Sequence, residues 1–283
     1  MSSDLRLLDT IENIVVKGII VLIIFVSAFP IIWTILTSIK PERIAINIPP
    51  VLFFMPTLEN YAYLMFNPMF VDFFKYLINS AVVSTFSTGL TILLSTFAAY
   101  GCSRFRFPGA KLYLFTILFF RLLPPVAVIV PLYVMMRNLH LLDTQLALIL
   151  TYTALNIPFA VWMMRGFLIE VPMEIEEAAL VDGCNRFSAF SRVVVPLALP
   201  GFVATSIYSF LLSWNDFLLA FFLTSRNAPT LPILAQLFKG ETAGIKWGLT
   251  TAAATLTIMP PIVFAFFIQK YLIKGLTLGA IKG

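Results

Sequence analysis

Long uncharged stretches alternate with short charged ones along the chain. Five runs contain no Asp, Glu, Lys or Arg, and a sixth contains Arg121 alone. Uncharged runs of about 20 residues match the hydrocarbon core of a bilayer. The alternation over about 10 residues that is typical of membrane β-strands does not occur. The pattern predicts an all-α integral membrane protein with spans at 14–36, 77–100, 112–136, 144–165, 198–223 and 248–270.

Two connecting segments stand out between these spans. Residues 40–75 hold several prolines followed by "TLENYAYLMF" at 57–66, which predicts an extended stretch and then a short surface helix. Residues 167–197 hold "EVPMEIEEAALVDG", with five of the chain's 14 acidic residues within 13 positions. Neither segment resembles a flexible linker, so we expect one transmembrane domain covering 1–283.

Composition supports a membrane location. The chain is 60% hydrophobic and 12% charged, whereas soluble domains carry about 25% charged residues. A net charge of +5 does not imply a nucleic-acid partner, because basic residues commonly set the orientation of membrane proteins. Eleven Lys and Arg fall on the side of the termini and seven on the other. We therefore expect a multi-pass protein of a bacterial or archaeal cytoplasmic (inner) membrane, with both termini cytoplasmic.

The acidic segment has the local signals of a helix, a turn and a second helix. Pro172 suits a first helical position, where its missing N–H costs nothing. Three glutamates follow in the first turns, where carboxylates favour the positive end of the helix dipole. Gly183 is placed to form a left-handed C-terminal cap, and a second helix is expected over 186–194. Composition alone leaves two interpretations open, a solvated loop and a partner-binding surface.

The spacing within this segment resembles the signature loop of permease subunits of ABC importers. The pattern is E-A-A, three residues, G, nine residues, I or V, one residue, L or V, and P, with Val in place of the commoner Ile and Leu. The stretches "AAYGCSRFRFPG", "SWNDFL" and "GLTLGAIKG" are similar to the smaller, maltose-type permease of carbohydrate importers. The fitting residues are Glu177, Ala178, Ala179, Gly183, Val193, Val195 and Pro196.

The resemblance implies a type I ABC importer permease fold and a role for the acidic helix at 174–183. It would be a coupling helix that docks in a cleft of an ATPase subunit. Glu177 would make a charged contact, Ala178 and Ala179 would pack in the cleft, and Gly183 would permit the turn. Asp182 would cap the turn or reach the partner. The same segment ends at Pro196. The resemblance adds a C-terminal ATPase contact through Gly279, Ala280, Lys282 and Gly283.

The resemblance also implies the partners. These are a second homologous permease, two copies of an ATP-binding subunit, an extracytoplasmic solute-binding protein and the lipid bilayer. The expected solute is a sugar, oligosaccharide or polyol. No phosphate-cradling loop G-x-x-x-x-G-K-[ST] is present, since Gly-Lys occurs nowhere in the chain. We therefore expect no cofactor here, with ATP and Mg²⁺ on the partner ATPase.

Two other function classes compete with this interpretation. An integral-membrane enzyme would need paired carboxylates or a histidine metal site within the membrane. The spans hold one carboxylate, Asp216, and no histidine, so neither a catalytic nor a metal site is expected. An ion- or proton-coupled transporter would use titratable groups at mid-membrane. Asp216 is titratable, but it stands alone near the outer end of its span, and the acidic loop would then have no explanation.

Candidate pathway residues lie in three spans. Arg121 follows Lys111 by ten residues, about 15 Å along a helix, and a charge at that depth costs at least ~2.5–3.5 kcal/mol unless it is paired or wetted. Pro124 interrupts the same span. Asn156, Asn215 and Asp216 complete the set. Each has a structural alternative. For Arg121 it is pairing with a carbonyl or with the second permease, for Asn156 a hydrogen bond to a neighbouring helix, and for "SWND" an anchor at the membrane interface.

Overall fold

The chain is built almost entirely of helices. The computed structural model describes residues 2–67, 72–105, 108–122, 124–240 and 244–279, with side chains at 13–67, 72–105, 108–110, 112–120, 122, 124–238 and 245–264. The helices are α1 (Ser2–Ser38), α2 (Glu42–Ala45), α3 (Glu59–Phe66), α4 (Phe73–Arg104), α5 (Ala110–Arg121), α6 (Pro125–Asn138), α7 (Gln145–Glu170), α8 (Met173–Val181), α9 (Arg186–Ala189), α10 (Val195–Leu197), α11 (Leu199–Asn215), α12 (Leu218–Leu223), α13 (Leu231–Leu234) and α14 (Trp247–Gly279). A π-helical turn, Phe190–Val194, joins α9 to α10.

One short antiparallel strand pair interrupts this helical pattern. Strands β1 (Lys239–Gly240) and β2 (Gly244–Ile245) pair with Lys239 opposite Ile245. They are the only strands in the described ranges, so the prediction of an all-α fold is confirmed in its essentials.

The described helices account for up to six membrane spans, as the hydropathy pattern predicts. Four are long and apolar enough to cross a bilayer singly, and two bent pairs of shorter helices supply up to two more. Long apolar helices satisfy their backbone groups internally, which the bilayer core requires. The single spans are Asn13–Ser38, Phe73–Arg104, Gln145–Glu170 and Trp247–Phe264; the pairs are Leu112–Phe120 with Pro125–Asn138, and Arg186–Leu197 with Leu199–Asn215.

The third span is interrupted at Pro124, as its sequence indicates, and the interruption is complete, because α5 ends at Arg121 and α6 begins at Pro125. Pro124 is extended, with ψ 132°. A residue that precedes a proline is disfavoured in the α region, and Pro125 in turn suits a first helical position. The proline pair therefore starts a new helix instead of kinking an existing one.

The fifth span also ends earlier than predicted. Helix α11 stops at Asn215, and Asp216 is extended, with ψ 120°. The Asp216 carboxylate accepts the backbone N–H groups of Leu219 at 3.0 Å and Ala220 at 3.3 Å, so it caps the separate helix α12. Side-chain capping satisfies donors that a helix start leaves unpaired.

The chain divides into two compact units, of which the first comprises Met1–Val71 and Ala235–Leu256. In it, the expected extended stretch carries the short helix α2 before the predicted helix, which is α3. Asn60 on α3 donates to the carbonyl oxygens of Ser38 and Lys40, each at 2.9 Å. The ammonium of Lys40 lies over the ring of Trp33, 4.9 Å from its centroid. These contacts fix the segment that follows α1.

The second unit comprises Asp72–Leu234 and Thr257–Gly283, and α4, α7 and α11 pack together in it. Small hydroxyl side chains line the buried side of α4, which permits close helix approach as in many membrane interfaces. One apolar cluster, including Leu148 and Leu223, lies around the start of α7. Another, including Leu168 and Val194, lies around the end of α7. The second cluster supports the segment that leads into α8.

Asp143, just before α7, anchors the loop that follows α12. Its carboxylate accepts the backbone N–H groups of Ser225 (2.7 Å), Arg226 (3.1 Å), Asn227 (3.0 Å) and Ala228 (3.2 Å). Partial burial raises the pKa of the Asp143 carboxyl, but the four donors lower it more, and the pKa lies below its ordinary value. Hydrogen bonds to the charged form have this effect.

We expect Asp143→Asn to loosen this anchor. The amide keeps one acceptor oxygen and turns an NH₂ group toward the same donors, so amide hydrogen exchange at 225–228 should accelerate about tenfold or more. Because the folded pKa is lowered, the wild-type contribution to stability is present above the unfolded pKa of about 3.9 and is lost as the pH falls through the folded value. Exchange measured at pH 7 tests this prediction. Unchanged exchange would contradict it. The control is Asp72→Asn, the same change at a carboxylate that accepts the N–H of Lys75 and does not contact residues 225–228.

Candidate functional site

Helix α8 leaves the end of α7 after a two-residue break and carries most of the acidic segment. It covers Met173–Val181. Pro172 was predicted as the first helical residue but is the N-cap, so the helix starts one residue later than predicted. Glu174 and Glu176 occupy its first turn, where carboxylates interact favourably with the helix dipole.

Gly183 ends α8 in the left-handed conformation that the sequence predicts, with φ at +92°. The N–H of Cys184 donates to the carbonyl of Ala179 at 3.0 Å, and that of Gly183 donates to the carbonyl of Leu180 at 3.1 Å. These are the two bonds of a Schellman motif. Residues other than glycine rarely adopt this φ, so the turn depends on Gly183.

The chain then returns through a second helical limb. Asn185 caps α9 by accepting the N–H of Ser188 at 2.8 Å, and helical structure continues through the π-helical turn to Leu197. The predicted helix at 186–194 is therefore present and somewhat longer. Its axis meets that of α11 at 76°, with the break at Ala198 (ψ 6°). A helix–turn–helix hairpin thus lies between α7 and α11.

The outer side of this hairpin is open to solvent. Glu177, Ala178, Asp182, Gly183 and Pro196 are exposed, and Ala179 is half-buried. Two apolar side chains beside them are also exposed, Val181 by 87% and Phe187 by 68%. Small residues among exposed acidic and apolar groups form a surface that a folded partner can approach closely.

Glu176 does not belong to this surface, although it lies in the same acidic stretch. Its side chain is 8% exposed and pairs with Arg104, whose Nε lies 2.7 Å from Oε2. It also accepts the hydroxyl of Tyr100. Arg104 donates further to the carbonyl of Val171 at 3.0 Å. Sequence spacing could not link residue 176 to a basic residue 72 positions earlier.

A cavity of about 750 Å³ opens among α5, α6, α7, α11 and α12. Three of the candidate pathway residues line it: Asn156, Asn215 and Asp216. Its other walls are mainly apolar and aromatic, and they include Phe120 and Tyr208. A cavity of this size and mixed character is typical of small-molecule sites.

The polar side chains of this cavity already make some hydrogen bonds within the chain. Asn156 donates to Ser213 Oγ at 3.1 Å, which agrees with its structural alternative. Asn215 donates to the carbonyl of Leu211 at 2.8 Å. Asp216 Oδ1 accepts the hydroxyl of Tyr152 at 3.0 Å. The other oxygen, Oδ2, has no hydrogen bond to any described side chain and is available to a ligand.

Residues 91–278, about two thirds of the chain, match the family described as "Binding-protein-dependent transport system inner membrane component". The chain belongs to this family. The match covers both the hairpin between α7 and α11 and the cavity.

Among curated members of this permease family, a probable ABC transporter permease, y4oR of Sinorhizobium fredii, is 41% identical over 258 residues, or 91% of each chain. The sulfoquinovosyl glycerol transport system permease SmoH of Agrobacterium fabrum is 38% identical, over 90% of this chain and 89% of SmoH. The trehalose/maltose transport system permease MalG of Thermococcus litoralis is 31% identical, over 93% and 94% respectively.

A crystal structure has the same permease fold. It is a bacterial ABC transporter involved in the import of the acidic polysaccharide alginate, and its chain superposes with a TM-score of 0.76 at 21% identity, over 93% of this chain and 97% of that one. The prediction of the type I ABC importer permease fold is therefore confirmed.

Several predicted permease residues fall elsewhere or outside the described part. Trp214 is 3% exposed and donates from Nε1 to the carbonyl of Thr257 at 3.0 Å, so its interpretation as an interfacial anchor was wrong. Pro124 precedes α6 and is not in the cavity lining. The Arg121 side chain, Ala280, Lys282 and Gly283 lie outside the described residues, as does the side-chain environment of Gly279 at the end of α14.

Proposed function

We propose that this family member is one half of the pore of an ATP-driven importer for a sugar, oligosaccharide or polyol. The observation that carries the proposal is the exposed α8 hairpin, with its acidic and small residues closed by a left-handed glycine. The solutes in the names of two relatives support the carbohydrate class: trehalose and maltose for MalG, and sulfoquinovosyl glycerol for SmoH.

In this proposal α8 is the coupling helix. Glu177 makes a charged contact with the ATPase, Ala178 and Ala179 sit in its cleft, and Asp182 borders the turn at Gly183. Pro196 ends the segment before the 76° bend into α11. The C-terminal residues Gly279, Ala280, Lys282 and Gly283 add a second contact with the ATPase pair. ATP and Mg²⁺ are bound by that partner, and this chain performs no hydrolysis.

The assembly contains a second, homologous permease, two ATP-binding subunits and an extracytoplasmic solute-binding protein. Both termini and α8 face the cytoplasm, and the Asp143 end of α7 faces the binding protein. A helix of 26 residues such as α7 is about 39 Å long, enough to separate the two faces. Closure of the ATPases moves α8 and switches the pore between inward-open and outward-open states, a rigid-body transition.

The cavity is the part of the solute pathway that this chain contributes, with Arg121 and Pro124 near its α5–α6 wall and Asn156, Asn215 and Asp216 in its polar part. Asp216 Oδ2 accepts hydrogen bonds from solute hydroxyls, and aromatic faces such as Tyr208 cover the apolar side of the solute. An acceptor-only carboxylate repels an acidic solute and favours a neutral, hydroxyl-rich one.

We expect Asp216→Asn to weaken import of the neutral solute and to narrow the preference for neutral over acidic sugars. The asparagine keeps an oxygen for the Tyr152 hydroxyl and the α12 cap, so the fold should persist, whereas the charged acceptor is lost at about 1.5–3 kcal/mol per hydrogen bond, or roughly tenfold or more in affinity. Uptake of matched neutral and acidic sugars into proteoliposomes measures both effects. If the variant imports both solutes with the kinetics of the wild type, Asp216 does not take part in the pathway.

The function itself is tested by purifying the chain from its native membrane in mild detergent. The proposal predicts co-purification of a second permease and a Walker-type ATPase, and ATP-dependent uptake once the binding protein is added. A chain that purifies alone and imports solute on an ion gradient would contradict the proposal and support an ion-coupled transporter instead.

A further inference from the structure

A buried ion pair joins the α8 hairpin to the end of α4. Arg104 is 5% and Glu176 is 8% exposed at the side chain, and Arg104 Nε lies 2.7 Å from Glu176 Oε2. The Tyr100 hydroxyl, one helical turn before Arg104, donates to the same carboxylate. Both charges are therefore satisfied within the chain. Glu176 is unlike Glu174 and Glu177, the exposed carboxylates of the same helix.

Further contacts tie both limbs of the hairpin to the same end of α4. On the first limb, Arg104 donates to the carbonyl of Val171, just before α8, at 3.0 Å. On the second limb, the ring of Phe190 lies 4.7 Å from that of Tyr100. The guanidinium of Arg186 lies 5.5 Å from the centre of the Phe105 ring. The end of α4 is thus held between the two limbs.

The covalent connection from the hairpin to α11 is less regular. It passes through the π-helical turn, a three-residue helix and the break at Ala198, where the axis turns by 76°. Breaks in the hydrogen-bond ladder of a helix are where bends occur. A displacement of α8 is therefore transmitted more rigidly through the side-chain pair to α4 than along the backbone to α11.

We propose that Arg104 and Glu176 are positioning residues that couple α8 to α4, so that α4 moves with the coupling helix when the ATPases close. This inference rests on the proposed function, because it concerns the route by which ATP-driven motion enters the pore. Helix α4 packs against α7 and α11, and α7 and α11 line the cavity. The pair therefore connects the docking surface to the cavity walls through packed helices, as transmission between distant sites requires.

The pair suits this task because it resists separation. Two buried charges that satisfy each other keep their geometry, since parting them leaves an uncompensated charge in an apolar setting. An exposed pair would yield easily to water and salt. The Tyr100 hydroxyl and the Val171 carbonyl use further bonding positions of the two ions, which restricts rotation of α8 about α4.

The test is Glu176→Gln, with Glu59→Gln, the same change at an exposed glutamate on α3 outside the hairpin, as the control. The complete complex is reconstituted into proteoliposomes, and solute imported per ATP hydrolysed is measured beside subunit stoichiometry. We expect Glu176→Gln to assemble but to import at least about fivefold less solute per ATP, within the range of typical coupling energies. Glu59→Gln should match the wild type. A wild-type ratio in an assembled Glu176→Gln complex would overturn the proposal.

A second variant covers the case in which Glu176→Gln fails to assemble. Arg104→Leu combined with Glu176→Leu removes the pair without leaving a buried unpaired charge, a change that is often tolerated. This double variant should assemble and show the same lowered ratio, and a wild-type ratio would again overturn the proposal. If the wild-type preparation contains no ATPase, the proposed function fails and this inference fails with it.

A distance measurement addresses the motion directly. Spin labels at Glu174→Cys on α8 and Leu94→Cys on α4, with Cys102 and Cys184 replaced, should keep one separation in nucleotide-free and ATP-bound wild-type complexes. Labels at Glu174→Cys and Leu199→Cys on α11 should change theirs. Leu94 and Leu199 are both exposed. An α8–α4 separation that changes as much as the α8–α11 separation would overturn the proposal.

Discussion

Replacing Gly183 by leucine is expected to abolish most solute import while leaving the helices inserted. The wild-type φ of +92° costs a residue with a side chain about 1–2 kcal/mol, which lowers the population of the native turn by about 5- to 30-fold. A Cβ at this position meets no atom within 4 Å, so the loss arises from the backbone and the docking surface. Uptake and ATPase activity of the reconstituted complex measure it.

Gly183→Asn is the informative companion to the leucine variant. Asparagine adopts the left-handed region more readily than leucine, so it should recover a substantial part of import. Equal import by the wild type and the leucine variant, in a fully assembled complex, would show that the turn does not govern docking. Equal loss in both variants would show that the surface at Gly183 matters more than its backbone conformation.

Replacing Gly201 by alanine is expected to destabilise the bundle. Gly201 lies near the start of α11, and a Cβ there would lie 2.5 Å from both Cβ and Cγ of Phe167 on α7. Because Cβ of Phe167 is fixed by the α7 backbone, the two helices must move apart. Overpacking of this kind lowers the free energy of unfolding by about 1–3 kcal/mol. Thermal unfolding of the purified protein in detergent should show a lower midpoint.

Gly166→Ala is the matched control because residue 166 precedes Phe167 on α7. A Cβ at 166 meets no atom within 4 Å, and alanine is favoured over glycine in a helix by up to about 1 kcal/mol. Its unfolding midpoint should equal or exceed that of the wild type. If Gly201→Ala unfolds at the same temperature as Gly166→Ala, the close contact between α7 and α11 is not required.

Hydropathy predicted the positions of the spans well, because an apolar run of helical length has few alternatives in a bilayer. It failed where backbone chemistry breaks a run that remains apolar. The third span is interrupted by Pro124 and Pro125, and the fifth ends where Asp216 caps α12. Proline backbone chemistry makes the first break and helix capping by a carboxylate makes the second, and an average of hydropathy over a span records neither effect.

The hairpin that α8 begins was predictable from local chemistry. A glycine after an acidic helix start indicates a left-handed cap, and Gly183 has that conformation. Glu176 was not predictable, because its burial depends on a partner on another helix: Arg104 on α4. The same reason applies to Trp214, whose indole bonds the carbonyl of Thr257. Long-range tertiary pairing decides the role of each of these side chains, and a single sequence does not contain it.

Site-specific cross-linking tests most directly the proposal that α8 docks on an ATP-binding subunit. Ala178→Cys, in a chain lacking Cys102 and Cys184, should form an adduct with an ATP-binding protein in native membranes, with a yield that changes when ATP is added. Ser225→Cys should form none. Ser225 is exposed in the loop after α12, beside Asp143 at the end of α7 that is remote from α8. Absence of such an adduct at residue 178, or equal yields at both positions, would contradict the account.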